Sequence, residues 1–143
     1  MSSALSPLAA SLNVAIGGGV GALARYQLGR GMTHWLGPQV VTAFPWATLA
    51  VNVLGSLAMG LLAGWLACHG SAHGEQWRLL LGVGLLGGFT TFSAFSLELM
   101  LLIERGQAAT ALTYAAVSVL AGLAALAWGE VARTRRDGAQ VEK

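Results

Sequence analysis

Four stretches of this sequence carry no charged side chain, at residues 1–24, 31–74, 79–97 and 106–129. A helix that crosses the hydrocarbon core of a bilayer needs about 20 mainly apolar residues. The first stretch and the last each hold one such span. The stretch over 31–74 is long enough for two, but Gly37, Pro38 and Pro45 break its first half. Its second half, from about Trp46 to Cys68, is continuously apolar. The third region begins near Gln76 and runs to Ile103, interrupted by Glu98. The charge gaps predict an all-α membrane protein of four transmembrane helices, at about 11–31, 46–68, 76–104 and 108–132. A polar C-terminal tail follows at 133–143.

Composition agrees. Charged residues make up 10% of the chain and hydrophobic types 55%, where a soluble domain carries about a quarter of its residues charged. Too little polar surface remains to cover the exterior of a soluble enzyme, and disorder is excluded because disordered chains lack large apolar residues. The net charge of +2 does not point to a nucleic-acid partner. Cys68 is the single cysteine, so no internal disulfide forms. No basic residue precedes Arg25, which speaks against a cleaved signal peptide and for a retained first helix. Trp35, Trp46, Trp65, Trp77 and Trp128 fall near span ends, as in an aromatic belt.

Orientation is balanced. With the N-terminus inside, the inner face carries Arg78 and the tail residues Arg133, Arg135, Arg136 and Lys143; the outer face carries Arg30 and Arg105, with Arg25 near that end of the first helix. Positive-inside bias rests on the tail alone. Small residues four apart (Gly17 and Gly21, Gly60 and Gly64, Gly84 and Gly88, with Ser56 extending the second row) clear stripes for close helix approach within one bundle. Four short helices enclose no large pathway, so transport would call for a dimer.

The third span is a poor helix at its middle. Gly87-Gly88-Phe89-Thr90-Thr91-Phe92-Ser93-Ala94-Phe95-Ser96 joins two glycines to two β-branched threonines within apolar surroundings. Two readings follow: a kink in which Thr and Ser bond back to the preceding turn, or a broken helix whose freed carbonyls face a cation and whose N–H groups face an anion. Polar residues elsewhere bear on the choice. Thr48 and Asn52 share a face of the second helix, Tyr114 and Ser118 a face of the fourth, and Phe92 and Phe95 a face of the third, with Ser96 and Glu98 following. Asn and Glu inside a bilayer line cavities or pair internally. Amide and hydroxyl donors with phenyl edges, and little fixed charge, suit a small, strongly hydrated anion that must enter and still leave.

These residues resemble the CrcB/Fluc fluoride channel family, over about residues 14–132. The resemblance is carried by Gly18-Gly19-Val20-Gly21-Ala22-Leu23-Ala24-Arg25-Tyr26, by Thr48-Leu49-Ala50-Val51-Asn52-Val53-Leu54-Gly55, and above all by the Gly87–Ser96 string. It implies an antiparallel, dual-topology homodimer in the inner cell membrane, with the third helix broken mid-membrane and two pathways for passive fluoride export. It further implies a structural sodium ion (Na+) at the dimer centre, held by backbone carbonyls at Gly87 and Thr90. Phe92, Phe95 and Asn52 match fluoride-site positions, and Thr48, Tyr114, Ser118 and Glu98 match a polar track; Ser96 is placed on the ion pathway beside them. Three positions depart from the family pattern: Ala47 stands where a Gly is usual, Ala94 where a Thr or Ser is common, and Gly122 where some relatives have a serine.

The same residues admit other roles. Phe92 and Phe95 pack a core or face lipid in the plainest reading, and Asn52 clamps two helices. Glu98 orients hydroxyls or caps backbone rather than carrying protons, since a carboxylate on an anion path repels the permeant. Arg25 is assigned a structural role near a helix end. His69 and His73, with Cys68 and Glu75, have a loosely metal-like spacing, but Gly70, Ser71 and Ala72 between them read as a loop. The competing functions are a small dual-topology multidrug-type exporter, which needs an embedded acid in a roomy apolar cavity, and a non-transporting membrane assembly subunit.

Overall fold

Ser6 begins the first helix: its Oγ accepts the Ala9 N–H at 3.2 Å, and Pro7 sits in the first turn, where a missing N–H is harmless. The computed structural model describes residues 5–68 and 74–141, with side chains described over 5–67 and 74–132. Helix α1 (Pro7–Leu36) has 30 residues and is therefore about 45 Å long, more than a hydrocarbon core requires. It outruns the 11–31 reading because no breaker intervenes before Gly37, whose φ of 84° only glycine adopts freely. The Gly37 N–H closes the helix on the Thr33 carbonyl at 3.1 Å, and Pro38 at once starts the short α2 (Pro38–Ala43). Phe44 is extended, and α3 (Trp46–Cys68) follows.

The third span falls into pieces. α4 (Gly74–Trp77), a π-helical stretch (Arg78–Leu86) and α5 (Gly87–Phe89) run one into the next. Thr90 then turns to extended backbone (φ −76°, ψ 160°), and α6 (Ser93–Glu104) starts three residues later. α6 ends in a Schellman turn: Gly106, at φ 75°, donates to the Ile103 carbonyl and Gln107 to that of Leu102, both at 2.9 Å. The last helix, α7 (Ala108–Val141), keeps a helical backbone through most of the charged tail. Among the described residues there is no strand, and four helical segments are long and apolar enough to cross a membrane: Pro7–Leu36, Trp46–Ala67, Gly74–Glu104 and Ala108–Ala132.

Two glycine seams set how the helices meet. α1 lies along the π-helical stretch and α5, and α3 along α7. A Cβ at Gly17 would strike the Leu80 carbonyl, one at Gly21 the Leu85 carbonyl, and one at Gly88 the Gly18 carbonyl, so the first seam is backbone against backbone. Gly60 meets the Leu126 carbonyl and Gly129 lies on Leu57 in the second seam. The interior these seams enclose is small and partly polar. Tyr114 and Val51 are fully buried and Thr48 and Ser118 nearly so, while Leu8, Trp35, Phe92, Leu112 and Trp128 point outward. Polar groups inside and large apolar groups outside is the reverse of a water-soluble domain, and it suits a protein solvated by lipid.

Candidate functional site

The second seam holds α3 against α7, and Glu98 on α6 acts as a hub between them. Thr48 Oγ1 donates to Glu98 Oε1 and Tyr114 OH to Glu98 Oε2, each at 2.7 Å. One carboxyl group therefore ties the three helices together through two short hydrogen bonds. Each of these hydroxyls has a single proton, and in this structure both are turned to Glu98. Phe95 stacks beside this hub with its ring centroid 5.2 Å from that of Tyr114, and Phe44 meets Tyr114 edge-on at 5.4 Å.

Asn52 sits one turn further along α3, opposite the helix interruption. Its Oδ1 accepts the Thr91 N–H at 3.0 Å and its Nδ2 donates to the Thr91 carbonyl at 3.1 Å. The side-chain amide thus replaces both bonds that an unbroken helix would have given Thr91. Thr91 Oγ1 in turn accepts the Ala94 N–H at 3.2 Å and caps α6, so the loss of a hydroxyl at Ala94 leaves its backbone satisfied. Thr90 bonds back to the Leu86 carbonyl through both its N–H and its Oγ1, at 2.9 Å. The Gly87 and Thr90 carbonyls and the Phe92 N–H group have no hydrogen-bond partner among the described residues. Orphan acceptors and donors of this kind are what a helix end leaves over.

A groove of about 390 Å³ opens at this interruption, lined by Asn52, Ser56, Gly87, Thr90, Phe92 and Ser118 among others. The Phe92 and Phe95 rings are 5.8 Å apart and tilted by 40°, and Phe92 is 79% exposed on the single chain. Ser118 Oγ is buried without a partner among the described residues. With Thr48 and Tyr114 engaged, the donors left along this path are the Ser118 hydroxyl, the second Asn52 N–H and the orphan Phe92 N–H. A second cavity of about 220 Å³ lies beyond Glu98, lined by Thr42, Pro45, Ala47, Leu102 and Arg105. Arg105 donates to the Thr42 carbonyl at 3.2 Å and so ties the end of α6 to α2.

Not every residue singled out in the sequence gathers here. Ser96 Oγ is satisfied within its own helix by the Phe92 carbonyl at 3.0 Å, and Ser96 does not line the groove. Arg25 lies on α1, where its Nε is buried without a partner among the described residues and where it shares a separate groove with Tyr26, Arg30 and His34. His69 and His73 fall outside the described residues, as does the side chain of Cys68. A larger groove of about 660 Å³, near the far ends of α3 and α7, is walled by Leu61, Leu62, Trp65, Trp77, Leu81 and Trp128; among the described residues no carboxylate lines it. Three contributors went unseen in the sequence: Thr91 as the partner of Asn52, Arg105 at the second cavity, and Ser56 in the groove. Ser56 carried a signal, since it lies four residues beyond Asn52 and eight beyond Thr48 on one helical face. Thr91 and Arg105 carried none, because their partners are distant in the chain.

Residues 12–130 match the family described as "CrcB-like protein, Camphor Resistance (CrcB)". A protein named fluoride-specific ion channel FluC from Erythrobacter litoralis is 58% identical over 127 residues, which cover 89% of this chain and 93% of that one. Proteins of the same name from Novosphingobium aromaticivorans and Rhodospirillum centenum are 57% and 54% identical, over 85% and 80% of this chain and 94% and 87% of theirs.

Proposed function

The chain belongs to the CrcB-like family, and from that premise we propose that it is a fluoride-selective ion channel that lets cytoplasmic fluoride leave passively. The observation that carries the reading is the groove where the interruption after Phe89 meets Asn52, the Phe92–Phe95 pair and the unpartnered Ser118 hydroxyl. A small anion sheds its hydration shell only where replacement contacts are waiting. Ser118, the free Asn52 N–H and the Phe92 N–H supply neutral donors, and phenyl edges present the positive part of the ring quadrupole. None is a bound positive charge that would hold the ion fast. Glu98 lies further along the same path, and each of its oxygens already accepts a hydrogen bond from a neighbouring hydroxyl. That arrangement screens the carboxylate and fixes the Thr48 and Tyr114 oxygens in place.

Hydrogen fluoride crosses membranes as a neutral weak acid and ionises in a less acidic cytoplasm. An inside-negative potential then drives the trapped anion outward with about 2.3 kcal/mol per charge per 100 mV, so export needs no energy-coupling domain. The working unit in this proposal is an antiparallel, dual-topology homodimer in the inner membrane with two pathways. Support comes from the weak charge bias outside the tail, where Arg78 on one face stands against Arg30 and Arg105 on the other, and from a groove that stays open on one chain, with Phe92 projecting from it. A structural Na+ at the dimer centre would be held by the Gly87 and Thr90 carbonyls. Their lack of hydrogen-bond partners among the described residues fits them to a cation that takes oxygen ligands. When bound, that charge would offset part of the cost of bringing an anion into low dielectric. A proton-coupled exporter is less well supported, because Glu98 is tied to two hydroxyls and no acid among the described residues lines the roomy apolar groove.

Purified protein reconstituted in liposomes loaded with potassium fluoride should release fluoride when a potassium ionophore relieves the opposing potential. The same vesicles loaded with chloride should retain it. Retention of fluoride by well-reconstituted protein would remove the channel reading.

A further inference from the structure

Polar side chains on α3 and α7 form facing rungs. Thr48 and Tyr114 make the first, joined through Glu98. Asn52 and Ser118 make the second, both lining the groove at the interruption. Each helix repeats at four residues, so Ser56 and Gly122 make the third. Gly122 brings no side chain, but a Cβ built on it would lie 3.5 Å from Ser56 Oγ, so the two positions do face each other across one small space. Ser56 lines the same groove as Asn52 and Ser118. Its hydroxyl has no hydrogen-bond partner among the described residues, unlike Ser11, Thr33, Thr42, Ser96 and Thr113, which all bond back to a carbonyl of their own helix.

We propose that Ser56 is a pathway residue: its hydroxyl donates to the anion at the third rung, doing from α3 what the bare Gly122 position on α7 cannot. The inference rests on the channel reading and extends its donor set by one group. An anion leaving the Ser118 hydroxyl away from Glu98 needs a replacement contact, since shedding one without replacement is costly, and the Thr90 hydroxyl in the same groove is already spent on the Leu86 carbonyl. Ser56 is the next free donor along that direction. Its neighbour Gly55 lies against the Thr90 side chain, where a Cβ would strike Thr90 Cγ2, so the Ser56 backbone is held in register with the interruption.

The space shared by the two positions gives a direct test, because a serine at 122 can return the hydroxyl from the opposite helix. Fluoride efflux from liposomes is compared for the parent chain, Ser56→Ala, Ser56→Ala/Gly122→Ser and Ser56→Ala/Gly122→Ala. Ser56→Ala is expected to slow efflux about fivefold, the size of one lost hydrogen bond to the ion. Gly122→Ser on that background should bring efflux back to within about twofold of the parent, as neighbours serving one site are non-additive. Gly122→Ala should not. A purely packing role for Ser56 would show no preference for the hydroxyl in the double variants. Parental efflux in Ser56→Ala, or equal efflux in the two double variants, overturns this assignment and leaves the channel reading in place. A parent chain that passes no fluoride overturns both.

Discussion

Glu98 shows how a single residue changes the meaning of its neighbours. In the sequence it was an acid inside an apolar span, costly unless paired. In the fold it accepts from Thr48 and Tyr114 at once, and that makes both hydroxyls parts of one hub. Glu98→Ala strands both hydroxyls, and the expected loss of stability is about 1–3 kcal/mol, read as a lower unfolding midpoint in detergent. Thr48→Val should then cost much less on the Glu98→Ala background than in the parent, with a coupling of about 0.5–3 kcal/mol in the double-mutant cycle. Strict additivity would separate the two residues. Phe92 and Phe95 make a second case, since their rings stand together at the groove. Phe92→Ile or Phe95→Ile should cut fluoride efflux sharply while the protein elutes in its parental oligomeric state, and undiminished efflux would take those rings out of the mechanism. The candidate residues themselves were legible as a polar set at helical spacing. Which protons they had left to give was not, because that depends on partners tens of residues away.

Helices and their seams are the next scale. Every glycine looks alike in a sequence, yet the fold separates them. Gly88 lies against the Gly18 backbone, whereas a Cβ at Gly31 would meet nothing within 4 Å. Gly88→Val is therefore expected to cost more than about 3 kcal/mol, since backbone rather than a flexible side chain must yield; it should abolish recovery of monodisperse protein. Gly31→Ala, in an open helical position, should be neutral or stabilising by up to about 1 kcal/mol. Equal behaviour of the two variants in thermal unfolding would refute the seam. The π-helical stretch (Arg78–Leu86) had no counterpart in the sequence reading, because hydrophobic period alone does not separate it from an α-helix. The end of α5 at Phe89 was different. Two glycines and two β-branched threonines marked weak helix there, and the Asn52 amide now occupies the place of the missing ladder bonds.

For the whole molecule, the open groove and the outward Phe92 ring are features of one chain, and a second copy is the proposed complement. Gln107 is exposed in the turn between α6 and α7, which makes it a reporter of orientation. In a Cys68→Ser background, Gln107→Cys should react with a membrane-impermeant maleimide from both sides of the cell membrane, in roughly equal shares if the weak charge bias permits both insertions. Labelling confined to one side would end the dual-topology proposal without touching the channel itself.

Four spans, their apolar exterior and the shortlist of polar residues were written in the sequence, because lipid imposes length, charge exclusion and hydrogen-bond satisfaction on each helix separately. Those demands act locally and leave local marks. Contacts between helices do not. That Glu98 joins three helices, that Asn52 holds Thr91, that Ser56 faces Gly122 and that Ser96 turns away all depend on how far two backbones approach and how each helix is rotated. Glycine seams and carbonyl positions decide both, and no single span carries that information.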